Sequence, residues 1–199
     1  MFKSNYFKLV MKLNKVKFGK NLNLYGVPVI FKKGGSQLNI GENCTIKSSF
    51  LSNLVGLSQR TIIVTRTEEA KIKIGNNVGI SGATIYARKG ITIGDNTLIG
   101  GNVKILDNDF HPIEVEARNL DIKEKIGTKE IEIGKDCFIG CNSFILKGSK
   151  IGDGSVVGAG SVVAGVFPGN CVIAGNPARV IKRLDKEKKY AWFDSDYIN

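Results

Sequence analysis

The sequence predicts an all-β fold, a parallel β-helix of hexapeptide repeats, and three observations carry that prediction. From Ile133 the chain divides into sixes, IGKDCF, IGCNSF, ILKGSK, IGDGSV, VGAGSV and VAGVFP, so that Ile133, Ile139, Ile145, Ile151, Val157 and Val163 recur at the first position. The fifth position is small at Cys137, Ser143, Ser149, Ser155 and Ser161. Glycine supplies 24 of 199 residues, well above the roughly 7% of an ordinary chain, and follows the aliphatic residue at Gly134, Gly140, Gly152 and Gly158. A period of six fits neither a helix nor simple strand alternation; it suits a short strand and a corner. One aliphatic residue then points inward, a small residue fills the corner, and the glycine is expected to supply the corner's backbone freedom. Three units close a triangular coil, and stacked coils bury a continuous aliphatic column.

Taken in chain order, residues 1–39 form a basic N-terminal arm and the first capping coils. Within them Phe2, Tyr6, Leu9, Val10 and Leu13 recur at helical spacing, with Lys3, Lys8, Lys12 and Lys15 between. That pattern reads first as a helix covering the open end of the first coil, which every solenoid needs. Its second reading is a peripheral membrane contact. Residues 40–183 form the repeat domain, opened by IGENCT at Ile40. Between Ser52 and Ile74 the register fails, and an irregular coil or loop is expected. Hexads resume at Ile74 and Ile80, and again at Ile93, Ile99 and Ile105. Residues 107–132 are polar and charged without hexads, so a loop protrudes there, and such insertions are where function concentrates. Gly169 and Gly175 interrupt the aliphatic slot before Ile181 restores it. The tail, 184–199, is expected to pack through Tyr190, Trp192 and Phe193 against the far end or a neighbouring subunit.

Composition removes several classes. The longest nearly apolar run, SVVAGVF, is far shorter than the roughly 20 residues of a spanning helix. Four cysteines, Cys44, Cys137, Cys141 and Cys171, are too few for a disulfide scaffold in this length. Without a signal-peptide pattern at the start, they read as free thiols in a reducing cytoplasm. Cys137 and Cys141 make a single CxxxC beside a single histidine, which is not a zinc set. The net charge of +11 is concentrated: residues 1–41 hold eight lysines and no acid, whereas 42–178 hold 15 basic and 14 acidic groups. A nucleic-acid binder would carry its charge across the folded body with aromatics interleaved, so nucleic acid is not expected as a partner.

The hexads, the DFHP of the insertion (Asp109–Pro112) and the closing AGNPARVIK together resemble the hexapeptide-repeat acyltransferases. Within them the chain is most similar to sugar O-acetyltransferases such as galactoside and maltose acetyltransferases and those of polysaccharide synthesis, over residues 40–183. The resemblance implies a left-handed coil, acetyl-CoA as acyl donor without a metal, a carbohydrate acceptor and a homotrimer with sites between subunits. The related carbonic anhydrases need three histidines for zinc, and this chain has only His111.

Transfer of an acetyl group from a thioester to a hydroxyl needs a base for the hydroxyl proton, and an imidazole, with a reference pKa of about 6.5, suits that role. His111 is therefore the candidate catalytic base. Asp109, two residues earlier, would share a face with it in an extended segment and could orient the ring or hold the acceptor. The resemblance places Cys141 and Ala159 along a pantetheine channel, with Ala164 and Gly165 further along it. Arg179 and Lys182, in GNPARVIK, would meet the phosphates of coenzyme A. Ser81, in GISGAT, is a weaker candidate on the acceptor side. An N-acyltransferase on an amino sugar or small amine, or a scaffold that has lost its chemistry, are the alternative functions.

Overall fold

In the computed structural model, which describes residues 2–184, the chain winds into a triangular prism with one strand of each coil on each of three parallel sheets. The first coil is Lys17–Phe18, Asn23–Tyr25 and Val29–Lys32. The second runs Gln37–Ile40, Thr45–Lys47 and Ile62–Thr65, and the third Lys71–Ile74, Gly79–Ser81 and Thr84–Ala87. The fourth is Gly90–Ile93, Leu98–Ile99 and Lys104–Leu106. The fifth and sixth start at Ile131–Ile133 and Lys150–Ile151 and end at Phe144–Leu146 and Val162–Val163. A last partial coil places Val166–Phe167 on face 1 and Cys171–Gly175 on face 2. This is the left-handed parallel β-helix of the hexapeptide-repeat proteins.

Register explains the period of six. On face 1, Ile40, Ile74, Ile93, Ile133 and Ile151 pair in succession. On face 3, Ile63, Ile85, Ile105, Ile145 and Val163 do the same, and none of these five is exposed to any measurable extent. The result is one aliphatic column, and truncating any of its isoleucines to alanine costs about 2–5 kcal/mol. Small residues in the fifth position also bond. Thr97 Oγ1 donates to the Gly134 carbonyl (2.8 Å), Ser143 Oγ to Gly158 (3.0 Å) and Ser155 Oγ to Pro168 (3.0 Å), tying each coil to the next.

The glycine after the aliphatic residue has a different cause from the one expected. A Cβ at Gly94 would stand 2.5 Å from both the Gly134 carbonyl carbon and the Lys135 nitrogen, so it is the close approach of successive coils that excludes a side chain. The left-handed backbone falls two residues later, on Asn43, Asn77, Asn96 and Asp136, with φ of 56°, 56°, 58° and 55°. Asparagine tolerates that region, and here each amide donates to the side-chain oxygen of the next residue in the stack, ending at Asp136.

Two further expectations are corrected. Of the irregular coil or loop expected over 52–74, a loop is present but ends earlier: a short excursion, roughly 48–61, leaves the corner between faces 2 and 3, after which Ile62–Thr65 and Lys71–Ile74 are in register. Ile181 does not restore the aliphatic slot. The phase advances at Phe167 and Ile173, which continue the columns of faces 1 and 2, and Ile181 lies exposed on Ala178–Arg183, a strand that pairs antiparallel with Cys171–Gly175. At the other end, helix α1 (Phe2–Leu13) covers the first coil through Met11 and Phe7. The aromatic tail residues Tyr190, Trp192 and Phe193 lie outside the described residues.

Candidate active site

The long excursion leaves face 3 after Leu106 and rejoins face 1 at Ile131, carrying a five-residue helix, α2 (Val115–Asn119). Its root is Asp107, which is fully buried. The carboxylate accepts the backbone N–H groups of Arg88 (2.8 Å), Lys89 (2.7 Å) and Gly90 (2.9 Å) from the corner of the preceding coil. Asn108 Nδ2 donates to the same carboxylate, and Asn108 Oδ1 accepts the Phe110 N–H at 2.9 Å. Phe110 takes φ of 63° and packs on Tyr86 with ring centroids 4.9 Å apart.

That turn changes the relation between Asp109 and His111. With a left-handed residue between them the segment is not extended, and their side chains do not share a face. The Asp109 carboxylate is ion-paired to Lys147, on the corner of the following coil, and sits so close to Gly127 that a Cβ there would be 2.4 Å from Oδ2. Only the backbone of Asp109 meets His111, whose N–H donates to its carbonyl at 2.7 Å. The imidazole is exposed and, among the described residues, makes no side-chain hydrogen bond. Arg118 fixes the segment beyond it, donating to the carbonyls of Pro112 (3.2 Å) and Ile113 (2.7 Å). The root thus holds the backbone at position 111 rigidly while leaving the ring free to meet a partner from outside.

Cys141 and Ala159 occupy one corner, between faces 2 and 3, in successive coils: Gly160 N–H donates to the Cys141 carbonyl at 2.9 Å. A Cβ on Gly101, one coil before, would lie 4.0 Å from Cys141 Cβ, and one on Gly158 would lie 3.1 Å from Ala174 Cβ. A track lined by small residues therefore runs along this corner to Ala174, which pairs with Arg179, while Lys182 pairs with Val172. Arg179 and Lys182 are both exposed at its end. Ala164 and Gly165 lie on the other corner, between faces 3 and 1, and do not belong to this track. Ser81 is buried to 8% exposure at the end of a face 2 strand.

Thiol chemistry follows burial. Desolvation pushes the Cys44 and Cys137 thiols up from their ordinary range, whereas Cys141 is half-exposed. Among the described residues no cluster of histidine, cysteine or carboxylate side chains could hold a metal ion.

Residues that the sequence did not single out gather at the foot of the excursion. Arg66, Tyr86, Arg88, Asn108, Phe110 and Lys123 line a cavity of about 340 Å³ at the foot of the excursion. Neither Arg66 nor Arg88 is paired with a carboxylate among the described residues. The sequence signal for Asp107 was slight: an acid at the third position of ILDNDF, the hexad at which the repeat breaks off. Arg66 and Arg88 gave none, because each merely follows a strand.

The fold is that of the hexapeptide-repeat transferases. Residues 130–165 match the family described as bacterial transferase hexapeptide (six repeats), and residues 90–116 match the hexapeptide repeat of succinyl-transferase. An uncharacterized 24.8 kDa protein in the cps region of Klebsiella pneumoniae is 39% identical over 178 residues, covering 87% of this chain and 75% of that protein. The crystal structure of NeuO, a polySia-specific acetyltransferase, superposes with a TM-score of 0.65 at 26% identity, covering 91% of this chain and 82% of that one. AntD, an N-acyltransferase from Bacillus cereus solved with dTDP and 3-hydroxybutyryl-CoA, shares the fold at a TM-score of 0.64 and 24% identity, with 87% of each chain covered. The chain belongs to the hexapeptide-repeat transferase family and is an acyltransferase.

Proposed function

We propose that the protein transfers an acetyl group from acetyl-CoA to a hydroxyl of a polysaccharide or its precursor, with His111 as general base. The observation that carries this is the rooted excursion: a buried carboxylate, Asp107, spends three backbone hydrogen bonds on holding the segment that presents an exposed imidazole. The likeness to NeuO, a polySia-specific acetyltransferase, supports acetyl transfer to a sugar acceptor, and the cps-region relative supports a polysaccharide setting.

His111 takes the acceptor proton as its oxygen attacks the thioester carbonyl, and returns it to the departing thiolate. One base suffices, so the acetyl group passes directly in a ternary complex. The small-residue corner at Cys141 and Ala159 holds the pantetheine arm, and Arg179 and Lys182 hold its phosphates. Asp109, fixed by Lys147, positions the segment and does not touch the ring. The basic and aromatic cavity of Arg66, Arg88, Tyr86 and Phe110 receives the acceptor, stacking a sugar ring and favouring one that carries an acidic group.

His111 and the Cys141–Ala159 corner lie on opposite long edges of face 3, so one chain does not bring them together. This supports a homotrimer in which one subunit supplies the base and its neighbour the thioester track. The test is His111→Ala, which should lower acetyl transfer by about 10²–10⁴-fold while retaining acetyl-CoA binding by calorimetry. Undiminished transfer by this variant would sink the assignment. Paired amino and hydroxy sugars, offered together, separate O- from N-acylation by the product.

A further inference from the structure

The N-terminal end of the prism has two surfaces with opposite fates. Phe7 and Met11 face the first coil and belong to the core, with Met11 only 2% exposed. Tyr6, Leu9 and Leu13, at spacings that align them along one side of α1, are exposed at 71%, 54% and 73%. A helix needed only as a cap would carry polar residues there. On the flank away from this stripe stand Lys8 and Lys12, the latter with its ammonium 5.7 Å above the Phe18 ring. Below the helix end a groove of about 350 Å³ is lined by Lys15, Lys17 and Lys32 and by no carboxylate.

The charge of this end is one-sided. Residues 1–41 contain eight lysines and no acidic residue, whereas the following 137 positions are balanced to within one charge, 15 basic against 14 acidic. We propose that this end docks on a bilayer containing anionic phospholipid, the Tyr6–Leu9–Leu13 stripe entering the interface and the lysines meeting headgroup phosphates. The chemistry fits the coincidence of the two features: apolar side chains alone would not need the lysines, and a soluble polyanion would not need the leucines. A second copy docked end to end on the same face would bring two acid-free, lysine-rich surfaces together, which like-charge repulsion opposes. A membrane-facing end would hold the acceptor site at a fixed height above lipid, useful when the glycan is lipid-linked.

The proposal does not depend on the catalytic assignment, because its readout is vesicle binding. The full chain should sediment with vesicles of mixed phosphatidylcholine and phosphatidylglycerol and not with phosphatidylcholine alone. Leu9→Glu/Leu13→Glu should weaken that binding at least tenfold, as should Lys15→Glu/Lys17→Glu/Lys32→Glu. Both variants alter exposed or groove-lining positions, and an unchanged far-ultraviolet circular dichroism spectrum and melting point confirm the fold. Neutralising Lys73, Lys125 and Lys135, exposed on the body, should leave binding within about twofold. Three outcomes would overturn the proposal: equal binding to neutral vesicles, an equal loss from the body variant, or no binding at all. A change of oligomeric state in Leu9→Glu/Leu13→Glu by ultracentrifugation would also overturn it, assigning the stripe to a contact between subunits.

Discussion

A single left-handed residue, Phe110, decides how the acidic and imidazole side chains of the excursion relate. Sequence spacing places Asp109 and His111 on a common face only if the backbone between them is extended; at φ of 63° it is not, and the carboxylate turns to Lys147. A local motif thus offers His111 as a candidate base but misplaces the side chain of Asp109, because the partner of Asp109 is 38 positions away. Burial is the other determinant at this scale. Cys141 should react with iodoacetamide before the buried Cys44, Cys137 and Cys171, and acetyl-CoA should protect it; mass spectrometry of the labelled peptides reads both. The raised thiols of Cys44 and Cys137 favour the neutral form in the folded state. Their contribution to stability is complete below the unfolded thiol value of about 8.5 and is lost as pH rises through the higher folded values. Denaturant titrations should therefore show stability falling above that pH, and less so in Cys44→Ser/Cys137→Ser.

Among the elements, strands were legible where the hexad repeats in pure form and illegible where a corner carries an insertion. The strands Ile62–Thr65 and Lys71–Ile74, which end the second coil and open the third, were hidden because the excursion before them shifts the count, though Ile63 and Ile72 are as buried as any hexad isoleucine. The end of the repeat was misread for the converse reason: counting in sixes overran a shortened corner before Phe167. The long excursion was recognised by its polarity, but its root was not, since Asp107 acts through backbone groups of a coil that the sequence places 17 to 19 positions earlier. Asp107→Ala strands those N–H groups and should cost about 2–3 kcal/mol. Thermal melting should show it, together with a fall in turnover larger than the unfolded fraction accounts for, because the segment bearing His111 loses its anchor.

For the molecule as a whole, the fold was readable from six residues at a time, whereas the proposed site draws on positions that no window of the chain contains. The two proposed halves, His111 and the Cys141–Ala159 corner, stand on separate edges of face 3, so mixtures can be informative where single variants are not. His111→Ala and Cys141→Trp should each be inactive, and refolding them together in equal amounts should restore about one quarter of the wild-type turnover, one site in four receiving both intact halves. An additive, null result would place both halves in one subunit.

The two ends bear on a different matter, that of polymerisation. Each coil offers the next a row of unpaired parallel backbone groups, so a repeat of this kind is in principle a monomer that adds to itself without limit. The chain stops that growth twice: α1 lies across the first row, and the Ala178–Arg183 strand runs against the direction of the last row on face 2. The helix and the reversed strand act as initiator and terminator, and the length of the prism is written into them rather than into the repeats.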